Sequence, residues 1–253
     1  MISAQNICKS FGGIRAVDDC SLTVERGQIL GLIGPNGAGK TTLFNILAGF
    51  MRPDSGRIEL DGETVTGERP HELFRRGLVR TFQIAHELAR MTVLENLMVV
   101  PAAQAGERLL TAWFRHGLVA GEEREVRRRA EEVLARLRLS DLRFELAGNL
   151  SGGQKKLLEL GRAMMTDAKV VLLDEIGAGV NRSLMAELAG YIEALNRESG
   201  YSFCIIEHDM DLIARLCDPV VVMAEGRILA RGSMDEIRAN SAVVEAYLGG
   251  SLA

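Results

Sequence analysis

Residues 34–42 read Gly34-Pro35-Asn36-Gly37-Ala38-Gly39-Lys40-Thr41-Thr42, which matches the pattern GxxxxGK[ST]. A short apolar run ends at Ile33 just before this stretch, and helical spacing begins just after it. Glycines let the backbone curl so that successive N–H groups point at phosphate oxygens, and the following helix turns its positive N-terminus toward the same charge. The pattern therefore predicts a nucleotide-binding loop in an α/β fold. In such a loop Lys40 contacts the β- and γ-phosphates and the Thr41 hydroxyl binds Mg²⁺.

Strand and helix patterns lie on both sides of this loop. Residues 1–33 are β-rich, and residues 57–65 predict two strands that turn at Asp61-Gly62. Further along, apolar runs and helical stripes alternate, which predicts an α/β core. The predicted elements are a helix over 42–49, strands over 170–173 and 203–206, a helix over 184–195, a hairpin of 220–223 and 228–229, and a short helix over 243–248.

The middle of the chain has a different pattern. Residues from Glu122 to Leu139 place apolar side chains at helical spacing with charges between them, which predicts an amphipathic helix. Its charge run is either a solvated face or a partner-binding surface. Trp113 and Phe114 are interpreted as packing residues. We expect a single domain over 1–253, with a helical subdomain over about 84–165 inserted in the α/β core.

The composition is that of a soluble globular protein, with 47% hydrophobic and 25% charged residues. The net charge of −4 leaves no broad basic surface of the kind that nucleic-acid binding needs, so no nucleic-acid partner is expected. The four cysteines form no CxxC pair and are interpreted as reduced core residues. We find neither a signal peptide nor an apolar stretch of roughly 18 residues, so membrane association is expected to come through a partner.

Residues 150–154 read Leu150-Ser151-Gly152-Gly153-Gln154, directly before a helical pattern. The Ser151 hydroxyl and the Gly153 N–H are placed either to bind an anion or simply to cap the helix. Downstream of a phosphate loop, the motif resembles the signature of ABC ATPases. The resemblance implies that residues 151–154 close over the ATP held by a second subunit, with two ATP molecules buried between two such domains.

Residues 170–175 read Val170-Val171-Leu172-Leu173-Asp174-Glu175, a buried strand that ends in two carboxylates. The segment is similar to the Walker B element of that family. Ligands of α/β folds bind at the carboxyl ends of the strands. Asp174 is therefore expected to hold Mg²⁺, and Glu175 to act as general base on the attacking water. The alternative is that two acidic residues merely end a strand.

Three further positions resemble motif residues of the same family. Gln83, in Thr81-Phe82-Gln83, resembles the Q-loop glutamine, whose amide contacts Mg²⁺ and the attacking water. His208 resembles the switch histidine, which hydrogen-bonds the γ-phosphate. Phe11 resembles the aromatic residue that stacks on adenine, and a place in the core is the rival interpretation of this side chain.

The chain departs from the family pattern after the acidic strand. Ile176 stands where a proline is usual, and Asn181 where the family usually has an aspartate. The resemblance implies that this loop crosses the dimer interface, so communication between the two ATP sites is expected to differ. Hydrolysis is still expected, because the chain retains Lys40, Asp174, Glu175 and His208.

The resemblance extends from about Gln5 to Gly250, and several stretches look like the ATPases of LIV-type branched-chain amino acid importers. They include residues 10–17, 80–83, 92–96, 156–160, 178–181 and 244–249. Asn181 is common in that branch, whereas Arg182 replaces a proline usual there. The resemblance implies a second ATPase subunit (itself or a paralogue), two membrane permeases and, indirectly, a periplasmic solute-binding protein as partners, and a peripheral place on the cytoplasmic face of the inner membrane.

Two other functions stay open at the level of sequence. The ATPase of an exporter, for example of lipopolysaccharide, would carry the same ATP-site motifs. A soluble ATPase that acts on DNA or ribosomes usually has two ATPase units or long basic insertions, which this chain lacks. The solute itself, whether amino acid, urea or short amide, contacts none of these residues. The expected ligands are ATP and Mg²⁺.

Overall fold

A computed structural model describes residues 1–81, 87–102, 104–107 and 113–249. The chain divides into two compact units, which we name the core unit and the helical unit. The core unit consists of Met1–Gln83, Ala168–Ala178 and Met185–Ala253, and the helical unit of Ile84–Asp167 and Gly179–Leu184. The first is α/β and the second is helical.

One sheet of the core unit is antiparallel. Its strands are β1 (Ile2–Phe11), β2 (Ile14–Val24), β4 (Ser55–Leu60) and β5 (Glu63–Thr64), in the spatial order β2-β1-β4-β5. The turn between β4 and β5 lies at Asp61 and Gly62, which have φ values of 52° and 85°. Two consecutive left-handed residues suit the twist of a tight hairpin, and the predicted turn is confirmed.

The second sheet of the core unit is mostly parallel. Its strands are β3 (Ile29–Ile33), β6 (Leu78–Arg80), β7 (Val170–Asp174), β8 (Ser202–Ile206), β9 (Val220–Ala224) and β10 (Arg227–Gly232), in the order β10-β9-β3-β8-β7-β6. Only β9 and β10 pair antiparallel, as the predicted hairpin. Strands β3, β7 and β8 are buried along their whole length, which explains their nearly continuous apolar sequence. Their carboxyl ends meet at one edge, where ligands of α/β sheets bind.

Helices and apolar side chains complete the core unit. Its helices are α1 (Lys40–Leu47), α2 (Pro70–Arg75), α7 (Met210–Leu216), α8 (Met234–Ala239), α9 (Ser241–Gly249) and all but the first turn of α6 (Arg182–Ser199). Leu43, Phe44 and Leu47 of α1 join Leu30 and Leu172 of the parallel sheet in one buried cluster. Full burial of each such side chain contributes about 1.5–3 kcal/mol, so the helix that follows the phosphate loop is firmly anchored.

The helical unit contains α3 (Val93–Met98), α4 (His116–Arg136) and α5 (Gly152–Met164), together with short 3₁₀ turns. Asn96 on α3 is fully buried, and its amide accepts the N–H of Leu88 at 2.8 Å while it donates to the carbonyls of Leu88 and Thr92 at 3.1 and 2.9 Å. One polar side chain therefore fixes the loop that leads into α3.

Two predicted helices differ in their limits from the observed ones. The helix predicted over 42–49 begins at Lys40, because the turn of the phosphate loop ends at Gly39 with φ of 97°. The helix predicted over 122–139 starts earlier, at His116, in a segment with little apolar periodicity. It ends at Arg136, two residues before Arg138 adopts φ of 56°.

The four cysteines are free thiols, and three of them are buried as predicted: Cys20, Cys204 and Cys217. Cys8 is only half-buried. Burial raises the pKa of Cys20 to about 11 and that of Cys217 to about 12, so these thiols stay protonated at neutral pH. Among the residues that the structure describes, no helix is long and apolar enough to span a membrane.

Candidate functional site

The phosphate loop lies between the end of β3 and the start of α1, as its sequence predicts. Gly34 has φ of 150°, and a Cβ atom there would lie 2.0 Å from the carbonyl oxygen of Met223. Gly39 has φ of 97°, and its Cβ would lie 2.2 Å from the carbonyl oxygen of Ala16. Only glycine meets both demands, positive φ and a close backbone neighbour. The backbone of the loop therefore packs directly against the backbone of β9 and β2.

Lys40 is folded over this loop. Its Nζ donates to the carbonyl of Gly34 at 2.7 Å and to that of Pro35 at 3.0 Å, and the residue is only 7% exposed. Burial lowers the pKa of Lys40, while the carboxylates of Glu175 and Asp174 act in the opposite direction. A buried ammonium group held by two carbonyls is ready to exchange them for phosphate oxygens. The remaining loop positions Asn36, Gly37 and Thr41 are exposed, Ala38 is buried, and Thr42 is half-buried.

The acidic pair lies at the carboxyl end of β7. Asp174 is 3% exposed and accepts a hydrogen bond from Arg80 Nη2 at 2.8 Å on its Oδ2. Glu175 leaves the strand with φ of 49°, a left-handed value that is uncommon outside glycine, and its N–H donates to the carbonyl of Ile206 at 2.9 Å. The backbone thus turns sharply between the two carboxylates, which separates the buried aspartate from the more accessible glutamate.

His208 follows β8 and reaches Glu175. The distance from His208 Nε2 to Glu175 Oε1 is 3.2 Å, and the two side chains are 49% and 24% exposed. The structure therefore brings together two residues that the sequence predicted as catalytic. An imidazole within hydrogen-bond distance of a carboxylate holds that carboxylate in one orientation.

Glu207 is a functional candidate that the sequence analysis missed. It is 4% exposed, and its two carboxylate oxygens accept the N–H of Gly177 at 2.6 Å and the N–H of His208 at 3.1 Å. Burial raises the pKa of Glu207, and these backbone hydrogen bonds lower it in part. The carboxylate ties the loop after Glu175 to the residue that carries the imidazole. The available signal was a carboxylate between an apolar strand and a candidate histidine.

Phe11 and Gln83 are two further residues that the sequence predicts at the ATP site. Phe11 ends β1 with 48% of its surface exposed, and Lys9 Nζ lies 5.9 Å from its ring centre. The rival prediction of a core position is wrong, because half of the side chain faces solvent. Gln83 lies outside the described residues.

The signature motif belongs to the helical unit. Ser151 is the N-cap of α5, and its Oγ accepts the N–H of Gln154 at 3.3 Å while Gln154 Oε1 accepts the N–H of Ser151 at 2.9 Å. This reciprocal capping box satisfies two donors at the helix start. Ser151 and Gly152 are exposed, and a Cβ on Gly153 would lie 2.0 Å from Leu184 Cδ2. Contact of this motif with an anion stays a prediction.

The donor set of the core unit suits magnesium bound together with a nucleotide. Thr41 offers a hydroxyl and Asp174 a carboxylate, both hard oxygen donors. Among the described residues no group of three or more His, Cys, Asp or Glu side chains is able to hold a metal by itself. Mg²⁺ typically uses one or two carboxylates plus substrate phosphates, and these residues fit that kind of binding.

A strand–glycine loop–helix unit with a lysine over the loop and carboxylates at the end of a neighbouring strand defines a P-loop nucleoside triphosphatase. The sequence profile described as "ABC transporter" matches residues 17–178, and the one described as "Branched-chain amino acid ATP-binding cassette transporter" matches residues 227–253. The chain therefore belongs to the ABC transporter family of ATP-binding proteins and is an ATP hydrolase of that family.

Full-length relatives share this architecture. The chain is 42% identical to the "Probable branched-chain amino acid transport ATP-binding protein LivG" of Archaeoglobus fulgidus, over 98% of this chain and 95% of that protein. It is 39% identical to the "High-affinity branched-chain amino acid transport ATP-binding protein BraF" of Pseudomonas aeruginosa, over 98% of both. A crystal structure of the ADP conformation of an ATP-binding cassette of an ABC transporter superposes with a TM-score of 0.83 at 37% identity, over 98% of both chains.

Proposed function

We propose that the chain is the ATP-binding and ATP-hydrolysing subunit that energises a membrane importer of branched-chain amino acids or related small amides. The observation that carries the proposal is likeness along the whole chain to LivG and BraF proteins, which includes the C-terminal segment 227–253. The ATP-site motifs alone would suit an exporter equally well. The match of residues 227–253 to the branched-chain amino acid profile supports this branch over other transporter ATPases.

ATP binding rests on the phosphate loop. Lys40 exchanges the carbonyls of Gly34 and Pro35 for β- and γ-phosphate oxygens, and the backbone N–H groups of residues 36–42 surround the phosphates. Phe11, half-exposed at the end of β1, is placed by its accessibility to stack on adenine. A phosphate dianion is well stabilised there because Lys40 is already desolvated.

Hydrolysis uses Glu175 and His208 at the carboxyl edge of the parallel sheet. Water attacks the γ-phosphorus and gives its proton to Glu175, the bond to the β–γ bridging oxygen breaks, and ADP and phosphate leave. His208, at 3.2 Å from Glu175, orients that carboxylate and hydrogen-bonds the γ-phosphate. Gln83 is the third residue that we assign to the water.

Magnesium, when bound, neutralises charge on the β- and γ-phosphates. Thr41, Asp174 and Gln83 are the residues that we assign to it. Their hydroxyl, carboxylate and amide oxygens have the hardness that this ion prefers.

The functional form is a pair of such subunits. Ser151, Gly152, Gly153 and Gln154 contact the ATP bound by a second ATPase subunit, which is a copy of this chain or a paralogue. The exposure of Ser151 and Gly152 in the helical unit supports this contact. ATP closes the pair, two membrane permeases change their access, and hydrolysis reopens the interface. A periplasmic solute-binding protein delivers the solute, and the chain stays peripheral on the cytoplasmic face.

Reconstitution tests the transport function. The chain is reconstituted with its two permeases in proteoliposomes so that the ATP site faces the external solution. The solute-binding protein is enclosed inside the vesicles. Leucine, isoleucine and valine are expected to stimulate ATP hydrolysis and to move toward the ATP side, and the Glu175→Gln variant is expected to abolish both. Stimulation of ATP hydrolysis by urea or acetamide, and not by these three amino acids, would identify a small amide as the solute. An ATP hydrolysis rate that is the same with and without the permeases and the solute-binding protein would contradict a transport role.

A further inference from the structure

Arg80 contacts Asp174, the aspartate that we assign to Mg²⁺, and no role has been assigned to this arginine above. Its Nη2 donates to Asp174 Oδ2 at 2.8 Å, and its Nη1 donates to Asn45 Oδ1 at 2.5 Å. The side chains of Arg80 and Asp174 are 7% and 5% exposed. The ion pair therefore lies inside the core unit, and it connects the end of β6, the end of β7 and helix α1.

Aromatic rings hold the guanidinium in place. Its central carbon lies 5.9 Å from the ring centre of Phe44 and 5.8 Å from that of Phe50. Both rings follow the phosphate loop in sequence, and Phe44 is fully buried on α1. A cation that lies over two rings and donates to two acceptors has little freedom to move. Arg80 is therefore built into the site in its position beside Asp174.

Two cations lie beside the two carboxylates at this edge of the sheet. Asp174 and Glu175 carry negative charge, and Arg80 and Lys40 carry positive charge. Arg80 is the cation in direct contact with Asp174. A buried carboxylate without a counter-charge would be strongly unfavourable, and it would attract whatever divalent cation is present.

We infer that Arg80 is a positioning residue that acts as the resident counter-charge of Asp174 and reserves this carboxylate for a metal that arrives with a nucleotide. Free Mg²⁺ would have to bind beside a guanidinium that already pairs with this carboxylate. Nucleotide phosphates bring the negative charge that makes the same position favourable. This inference rests on the proposed binding of ATP at the phosphate loop.

The first test measures metal binding in the absence of nucleotide. Mn²⁺ serves as the probe because its electron paramagnetic resonance signal reports the bound fraction. The native protein is expected to bind Mn²⁺ only weakly at this site without ATP. Arg80→Met is expected to bind Mn²⁺ there with an affinity at least about tenfold higher than that of the native protein, because one nearby like charge is removed. The gain is expected to vanish in the double variant Arg80→Met/Asp174→Asn.

Two further variants control for folding and for charge. Arg80→Gln is neutral but keeps a donor for Asp174, so it provides the same test if Arg80→Met does not fold. Arg227→Met removes a different arginine from an aspartate, Asp18, which it contacts at 2.5 Å on a more exposed surface. This control is expected to gain no Mn²⁺ site. Circular dichroism confirms folding for each variant.

A second readout separates this inference from the proposed function. Binding of a fluorescent ATP analogue is measured with excess chelator and again with Mg²⁺. Loss of Arg80 is expected to weaken metal-free binding by about tenfold, because Asp174 then repels the phosphates, and to weaken Mg²⁺-dependent binding much less. Native protein that does not bind the analogue at all refutes the proposed function. Native protein that binds Mn²⁺ alone as tightly as Arg80→Met, or a neutral variant that gains no site, overturns the role of Arg80.

Discussion

Removal of the Glu207 carboxylate tests what holds Glu175 and His208, the two residues that we propose to act in hydrolysis, in their relative positions. Glu207 accepts two backbone N–H groups at 2.6 and 3.1 Å from a position that is 4% exposed. Hydrogen bonds to a charged group contribute about 1.5–3 kcal/mol each. The burial that raises the pKa of Glu207 opposes part of this gain. We expect Glu207→Ala to lower the free energy of unfolding by about 2–4 kcal/mol, or the Tm by roughly 4–16 °C for a chain of this size.

The effect on activity is expected to exceed the effect on nucleotide binding. Without the carboxylate, the loop at Gly177 and the backbone of His208 lose their common acceptor, and the 3.2 Å contact between His208 and Glu175 is no longer fixed. A displacement of about 1 Å at reacting groups costs up to about a hundredfold in rate. We expect kcat to fall by about ten- to a hundredfold and ATP affinity to stay within about threefold, because the contacts of Lys40 are unchanged.

The assay combines calorimetry with steady-state ATP hydrolysis and nucleotide titration. The matched control is Glu198→Ala, an exposed glutamate on α6. Equal Tm and equal kcat for Glu207→Ala and Glu198→Ala would refute the role that we give to the Glu207 carboxylate.

The pH dependence of Glu207 provides a second check with a definite sign. Its folded-state pKa is raised above the ordinary value of 4.5, so the folded state binds more protons than the unfolded state above that pH. Stability from this group is therefore complete below pH 4.5 and is lost as the pH rises through the raised pKa. The free energy of unfolding of the native protein, minus that of Glu207→Gln, is expected to fall over that range. A difference that rises with pH would contradict the burial argument.

Three other substitutions test the surrounding structure. Asn96→Ala is expected to cost about 3 kcal/mol in unfolding free energy, measured by denaturant titration, because several buried hydrogen bonds are lost; an unchanged midpoint would contradict this. Asp61→Asn removes a carboxylate charge whose pKa is lowered chiefly by the hydrogen bond from Lys169. The resulting loss of unfolding free energy is expected above the ordinary pKa of 3.8 and should disappear as the pH falls through the lowered value, in denaturant titrations at several pH values. Gly34→Ala is expected to abolish ATP binding in a nucleotide titration, because its Cβ would meet a backbone oxygen at 2.0 Å. Gly37→Ala carries only the backbone strain of φ 78°, since its Cβ meets nothing within 4 Å, and it should lose less affinity in the same titration.

Local patterns in the sequence were sufficient to predict most of the core unit. The phosphate loop has a residue pattern with one backbone geometry, and buried parallel strands such as β7 and β8 appear as continuous apolar runs. The edge that gathers Lys40, Asp174 and His208 follows from parallel pairing, since strand ends then share one side.

Contacts between distant positions were not predictable in the same way. Arg80 and Asp174 are 94 residues apart, and their pairing depends on the adjacent positions of β6 and β7. Glu207 has no periodic signature, because its role arises from backbone donors that only the folded turn brings near. The assignment of Gly179–Leu184 to the helical unit likewise has no local signal.

The central claim is that Glu175 activates the water that cleaves ATP. The most direct measurement compares ATP hydrolysis by the native protein and by Glu175→Gln, with the size of each in the presence of ATP. The native protein is expected to hydrolyse ATP. The variant is expected to bind ATP, to lose hydrolysis by at least about a hundredfold, and to accumulate as a dimer that retains nucleotide. Equal hydrolysis by the two proteins would contradict the role of Glu175.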